Sequence, residues 1–338
     1  MNNKTFIIAE VGPNHNGSFK LAQKMIRQIA KTGVDAIKFQ LADPDKVYSL
    51  DAFKANYQKK TDKSKSIIEM SKRIQLKKEH HIKLAKLCKK NKIIYLCSAF
   101  DIDSLVFLDK KIKIPFFKIP SGEINSTDMN QYIAKRKKKI LLSTGMASYQ
   151  EIKDTIKNLK KFGNNKITIM HCVSSYPAEK KHLNLNIIDE IRERFNLEVG
   201  YSDHSLGEEA VLTAVAKGAK IIEKHVTVSR KLNGPDHKSS MTIPELKDLV
   251  GKIRTIELVL GTRKKTFSAS EQNVKRVARK SIVSARYLKK NTIIRKKDIL
   301  FKRPGTGISP NDLNKILGKK TIKDIGEDKL IKLKDIKT

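Results

Sequence analysis

The 338-residue sequence has no tryptophan, only three cysteines, and 35 acidic residues against 71 lysines and arginines. No apolar run approaches the roughly 18 residues that a membrane helix needs. The opening "MNNKTFIIAEVG" lacks a basic stretch followed by a long apolar one, so no signal peptide is expected. Cys88, Cys97 and Cys172 are odd in number and far apart. That pattern argues for reduced, buried thiols in a cytoplasmic protein, not for a disulfide framework. Aromatic residues make up 6% of the chain and rarely interleave with basic ones, even around "KRKKK" at 135–139. The net charge of +36 is therefore weak evidence for nucleic-acid readout, which relies on arginine forks and stacked aromatics. It reads as the lysine-rich composition of an AT-rich genome, with a general attraction for anionic substrates as a by-product.

Short apolar runs alternate with amphipathic stretches. Strands are expected at 6–11, 36–40, 93–100, 116–120, 139–144, 166–173, 198–203 and 221–227. Helices are expected at 18–32, 79–91, 103–111, 127–136, 148–162, 186–195, 207–217 and 244–260. Strands alternating with helices imply parallel βα units, and eight such units in about 250 residues fit an α/β TIM (β/α)8 barrel. A doubly wound sheet is the alternative, but no Gly-x-Gly-x-x-Gly follows the first strand. The polar stretch 41–78 is long for a loop in a compact domain, and such loops are often lids. Beyond residue 261 the texture changes. We expect a catalytic domain over 1–261, a linker over 262–280 and a small β-rich domain over 281–338. The last contains an internal echo, "NTIIRKKDI" and "DKLIKLKDI", which reads as two hairpin-like pieces around "KRPGTGISP".

In a TIM barrel the active site forms where strands end. Those ends carry Glu10; Lys38 and Gln40; Ser98; Lys118, Ser121 and Glu123; Ser143 and Thr144; His171 and Ser174; Ser202, Asp203 and His204; Glu223 and His225. His204 and His225, from adjacent strands, suit a divalent metal that keeps positions open for substrate. Lys38 and Lys118, with the hydroxyls of Ser98, Ser121, Ser143 and Ser202, suit a ligand bearing both phosphate and carboxylate. Ser143 reads equally as a helix cap. Glu123, in "KIPSGE", is expected beside the two lysines, ionised and placed to relay protons. His15, in "GPNHNGS", is either catalytic or a surface turn residue. Asp236, in "LNGPDHKSSM", either holds sugar hydroxyls or is an ordinary turn residue. His80 and His81 read as surface residues of a lysine-rich helix.

Taken together, "AEVGPNHNGS", "IKFQ", "FKIPSGE", "LLSTGM", "HCVSSYP", "GYSDHS", "EKHVT", "GPDHKSSM" and "KRPGTGI" occur in an order and spacing that resemble the sialic acid synthase family. The resemblance spans essentially the whole chain. It implies a TIM barrel followed by an antifreeze-like, or SAF, domain. The reaction it implies condenses phosphoenolpyruvate with an open-chain 2-acetamido hexose, with C–O cleavage and loss of phosphate, to give a nine-carbon 2-keto sugar acid. The implied cofactor is Mn2+ or Mg2+, held by His204 and His225. Glu123 falls on the catalytic carboxylate and Glu10 on a second glutamate of the metal site. Lys38, Ser98, Lys118, Ser121, Ser143 and Ser202 fall on phosphoenolpyruvate-binding positions. Gln40, Tyr176 and Asp236 are expected on the sugar side. Arg303 matches an arginine that the small domain inserts into a partner's barrel, which implies a domain-swapped homodimer. Departures at Ser98, Pro120, Ser174 and Arg279 leave the sugar open: N-acetylmannosamine, 2,4-diacetamido-6-deoxymannose on the way to legionaminic acid, or its altrose analogue on the way to pseudaminic acid. Other phosphoenolpyruvate-dependent keto-acid synthases and metal-dependent aldolases are the alternatives in other families. No membrane partner is expected.

Overall fold

Eight parallel strands supply the frame, because each apolar run is just long enough to be buried and each is followed by a helix that covers it. The computed structural model describes residues 4–262 and 264–337. The expected domain limits at residues 1 and 338, and residue 263 of the expected linker, lie outside these. The strands are β1 (Phe6–Glu10), β2 (Ala36–Leu41), β3 (Ile94–Ala99), β4 (Phe117–Ile119), β5 (Ile140–Ser143), β6 (Ile167–Cys172), β7 (Glu198–Asp203) and β8 (Ile221–Thr227). Hydrogen-bonded neighbours run β3-β2-β1-β8-β7-β6-β5-β4. The first strand thus pairs with the last, so the sheet curls into a nearly closed barrel. At the remaining seam β3 packs beside the short β4. The chain divides into two units, Met1–Gly261 and Thr262–Thr338. Among the described residues no helix is long and apolar enough to cross a membrane.

Alternation along each strand divides the barrel's residues. Ile8, Ala36, Leu96, Leu141, Met170 and Ile221 form one apolar layer inside the barrel. The partners that point outward, among them Ile7, Ile37, Phe39, Phe117, Ile169 and Ile222, join the larger core beneath the helices. Those helices are local consequences of sequence. The helix Phe19–Ile29 begins at Ser18, whose side chain accepts from the Leu21 amide, and it buries Ala22, Met25, Ile26 and Ile29, a 3.6-period stripe. The helix Ile243–Leu260 opens with a capping box between Thr242 and Glu245 and buries Leu246, Leu249 and Ile253. Truncating Leu249 to Ala would cost about 2–5 kcal/mol.

Two stretches differ from expectation. The polar segment between β2 and β3 is not a plain loop: it carries helices at Pro44–Val47, Asn56–Thr61 and Ile67–Ile74. The stretch expected as a linker carries a helix, Ala269–Ala278.

The second unit has a core of its own, built from Ile282, Leu288, Ile294, Ile299, Ile308, Ile316, Ile325, Ile331 and Ile336. Its antiparallel strands are Ser281–Ser284 and Ile299–Lys302. The sequence echo is real but is not a pair of hairpins. Each copy starts at a residue with positive φ, Asn291 or Asp328, and ends in a 3-10 turn, Lys296–Asp298 or Leu333–Asp335. In both, a buried aspartate accepts from a backbone amide: Asp298 from Arg295 at 2.9 Å and Asp335 from Lys332 at 3.2 Å. An isoleucine follows each aspartate into the core. The repeated unit is thus a capped turn, read as a strand because its isoleucines are β-branched.

Candidate active site

Strand register assembles the barrel mouth. Glu10 lies opposite Lys38 on one side and His225 on the other. Gln40 lies opposite Ser98, and Ser202 opposite Glu223. Residues far apart in sequence are therefore brought onto one inward face, directly above the apolar layer.

Two lysines and two carboxylates form the buried centre. Lys38 Nζ contacts Glu10 Oε2, lies 3.7 Å from Glu223 Oε1, and donates to Ser98 Oγ at 3.2 Å. Lys118 Nζ donates to Glu223 Oε1 at 3.0 Å, and Ser202 Oγ donates to the same oxygen at 3.0 Å. Four charges with almost no solvent survive only because they are paired. Burial would raise the Glu223 carboxyl, but Lys118 and Lys38 outweigh it and hold it well below the usual carboxylate range. Glu10 behaves oppositely: burial, reinforced by the negative charge of Glu223, carries it up to about 7 against the pull of Lys38. Lys118 is lowered because burial exceeds what Glu223 returns, whereas the two glutamates keep Lys38 raised. Ser143 Oγ and Glu223 Oε2 are buried without a hydrogen-bond partner. They leave polar capacity facing a site already rich in cations.

Ser121 closes the far wall. Its Oγ accepts from the Gly145 amide at 3.0 Å and sits 3.1 Å from Cys172 Sγ. A side chain at 145 would force its neighbours to shift. A Cβ there would lie 2.8 Å from Cys172 Sγ and 2.9 Å from Ser121 Oγ, and closer still to Ser174 Oγ.

Next to this centre stand the two histidines. The rings of His204 and His225 are 5.3 Å apart, at 66° to each other. His204 Nδ1–H donates to the Val173 carbonyl at 2.7 Å. That bond leaves the Nε2 lone pair facing the Tyr176 hydroxyl at 3.2 Å. Burial, then the neighbouring imidazole, holds His225 well below its ordinary value, and burial lowers His204 to about 4. Both are neutral at pH 7, the state a metal requires. His225 Nδ1 is buried without a hydrogen bond, 3.6 Å from Asp236 Oδ2. Two neutral imidazoles, one anchored through Nδ1 by a carbonyl, fit a divalent cation. Among the described residues no group of three or more His, Cys, Asp and Glu side chains converges as a metal cluster. Asp236 itself is buried and raised to about 7, first by burial and then by Glu10. A cavity of about 210 Å3 lies here, bounded by Gln40, Tyr176, His225 and Asp236 among others.

Several sequence expectations are revised. Glu123 is not paired with the lysines: its Oε2 accepts from Ser126 Oγ, and among the described residues no ion pair joins it to Lys38 or Lys118, although it lines a cavity with Lys118. Burial raises its carboxyl instead of a cation lowering it. The reason is the 3-10 turn Ser121–Glu123, which carries the side chain past the strand's inward face. The carboxylate the lysines share is Glu223, noted at a strand end but given no role from sequence; its alternation with His225 in "EKHVT" was the available signal. His171 points away from the mouth, stacks on Tyr201 and meets the Leu183 carbonyl at 2.8 Å. His15 is no surface residue: it is buried, its Nδ1 accepts from the Gly17 amide at 3.2 Å, and its ring stacks on Phe39. His81 is likewise buried, 2.6 Å from the Tyr95 hydroxyl. Arg303 is exposed on the second unit, in a loop pinned by Ser281, whose Oγ donates to the Pro304 carbonyl at 2.6 Å and accepts from the Gly307 amide at 2.9 Å.

Comparison with known proteins places these features. Residues 25–265 match the NeuB family and residues 279–337 match the SAF domain. The chain is 41% identical over 332 residues to the N,N'-diacetyllegionaminic acid synthase of Campylobacter jejuni, covering 97% of this chain and 99% of that protein. It is 39% identical to the enzyme of the same name from Legionella pneumophila, covering 93% of this chain and 89% of that one. Among solved structures, the N-acetylneuraminic acid (sialic acid) synthetase of Leptospira borgpetersenii, in complex with citrate, superposes with a TM-score of 0.71 at 35% identity, over 81% of this chain and 90% of that one.

Proposed function

The chain belongs to the NeuB family and is a synthase-type transferase, and from that premise we propose that it condenses phosphoenolpyruvate with an open-chain 2-acetamido hexose to give a nine-carbon 2-keto sugar acid and phosphate. The observation that carries this is the buried Lys38–Glu223–Lys118 bridge beside the neutral His204–His225 pair. A trianionic ligand needs fixed cations, and buried lysines offer them without competition from water. The hydroxyls of Ser98 and Ser202 bond to this centre, and in this reading Ser121 and Ser143 add theirs to the ligand's anionic groups. Ser143 Oγ, with no protein partner, is free to donate to a phosphate or carboxylate oxygen.

His204 and His225 would hold a divalent cation, Mn2+ or Mg2+, which when bound would polarise the sugar's aldehyde oxygen. The chain's own residues do the rest. The lysines orient phosphoenolpyruvate so that its enol carbon faces the sugar. Glu10, near 7, carries or releases a proton at neutral pH. Glu123, at the rim and raised by burial, is the second proton-carrying group. Gln40, Tyr176 and Asp236 meet the sugar. Two names among the relatives favour 2,4-diacetamido-6-deoxymannose over N-acetylmannosamine as the sugar. Arg303 would complete the site of a second copy in a domain-swapped homodimer.

The test offers phosphoenolpyruvate and a panel of 2-acetamido sugars, with Mn2+ and after chelation. We expect phosphate release matched by a keto acid whose mass equals both substrates plus water minus phosphoric acid. Absence of product with every sugar in the manno and altro series would overturn the reading. Mn2+ binding followed calorimetrically should vanish in His204→Ala and His225→Ala, independently of turnover.

A further inference from the structure

The segment between β2 and β3 folds back over the mouth and touches the barrel loops there at two places. Tyr57, on the helix Asn56–Thr61, packs on Tyr176 with ring centroids 5.1 Å apart. Thr61 Oγ1 donates to the Tyr57 carbonyl at 2.8 Å and lies 3.4 Å from the Pro235 carbonyl. The helix is braced from behind: Lys54 Nζ donates to the carbonyls of Asp62 at 3.0 Å and Ser64 at 2.5 Å, and Arg73 pairs with Asp62. Tyr176 in turn lies on His204, with centroids 4.2 Å apart. Tyr57 is thereby held in register with the metal-binding pair.

The cavity under this segment measures about 210 Å3, below the ~300–1,000 Å3 typical of ligand pockets. A hexose with two acetamido groups would touch every wall. On the barrel side the walls are polar, Gln40 and Asp236, suited to hydroxyls. On the segment side, Gln58 is engaged at its own helix, accepting from the Ala55 amide at 2.9 Å. Tyr48, Ser71 and Gln75 of the segment also line the cavity, with Gln75 Oε1 accepting from the Ala42 amide at 3.1 Å, and Tyr57 adds an aromatic face to this wall. Such a face receives a methyl group well and leaves a hydroxyl unpaired.

We propose that Tyr57 is a specificity-determining residue, its ring, steadied by Tyr176, forming the wall against which a methyl-bearing end of the sugar lies. The inference rests on the reaction proposed above and deepens it. It says that discrimination between a 6-deoxy diacetamido sugar and its 6-hydroxyl monoacetamido counterpart is set by the β2–β3 segment, apart from the groups that bind phosphoenolpyruvate.

The test compares kcat/KM for 2,4-diacetamido-6-deoxymannose and N-acetylmannosamine in the full-length chain, Tyr57→Ala and Tyr57→Phe, with the KM for phosphoenolpyruvate measured in each. Mismatches in apolar pockets are worth ~10–200-fold. Tyr57→Ala should lower the preference for the deoxy sugar by about tenfold or more. Tyr57→Phe keeps the ring and should keep the preference. The KM for phosphoenolpyruvate should not move. An unchanged preference in Tyr57→Ala, or Tyr57→Phe as impaired as Tyr57→Ala, overturns the inference while leaving the reaction intact. A raised KM for phosphoenolpyruvate in both variants also overturns it, because the segment would then be a general support. If the unaltered chain converts neither sugar, the reaction reading falls and this inference with it.

Discussion

Replacing Glu223 by Gln keeps the shape of the side chain and removes one charge from the buried centre. Lys38 would retain Glu10. Lys118 would not be so served, because its one ion pair among the described residues is with Glu223, at 3.0 Å. Breaking a buried pair by removing one partner costs about 3–5 kcal/mol, because the remaining charge is left without compensation. Lys118 is already lowered by burial. Without Glu223 it falls further and relieves part of the cost by shedding its proton. For a barrel of this size each kcal/mol moves the melting temperature by roughly 2–4 °C, so Glu223→Gln should melt about 6–20 °C below the parent. Two further measurements make the reasoning sharp. Phosphoenolpyruvate returns a negative partner to Lys118, so it should raise the melting temperature of the variant more than that of the parent. Glu223→Gln combined with Lys118→Met removes both charges and should be more stable than Glu223→Gln alone. Equal stability of the double and single variants would refute the claim that an unpaired Lys118 is the source of the loss.

Gly145→Ala places a methyl against Cys172 and Ser121; overpacking costs about 1–3 kcal/mol, and we expect the KM for phosphoenolpyruvate to rise while that for the sugar changes little. A phosphoenolpyruvate KM equal to the parent's would show that Ser121 does not touch that substrate. His15 is lowered from 6.5 to about 3 by burial and by the nearby His81 and His237. Its stabilising contribution is therefore complete above pH 6.5 and is lost as pH falls toward the folded value, because the unfolded chain takes up the proton first. Between pH 6.5 and 5 this amounts to about 2 kcal/mol, which His15→Gln should remove from the pH dependence of melting; parallel curves for the two proteins would contradict it. For the second unit, co-expression of Glu123→Gln and Arg303→Ala subunits, each inactive alone, should restore one working site per heterodimer. Heterodimers that form without regaining activity would place Arg303 outside the partner's site.

Much of this molecule could be read from its residues because the signals are local. An apolar run of four to eight residues bounded by turn residues is buried wherever it sits, so the eight strands and the helices between them fall within a few residues of expectation. Polar residues at the ends of such runs must converge once a barrel is formed, which brought Lys38, Lys118, Ser98, Ser121, Ser143, Ser202, His204 and His225 forward from sequence alone. What sequence could not decide was who faces whom. Lateral register sets Glu10 against Lys38 and Glu223 against Ser202, and register is a property of neighbouring strands, not of either one. One turn of 3-10 helix sets Glu123 against Ser126, with no ion pair to the lysines, and nothing in "KIPSGE" specifies that turn over a continued strand. His81 looked exposed because lysines flank it, yet its side of the helix packs on the barrel and meets Tyr95. The placement of Tyr57 on Tyr176 lies furthest from sequence, since 119 residues separate the two rings. Only the folding of the β2–β3 segment over the mouth brings them together.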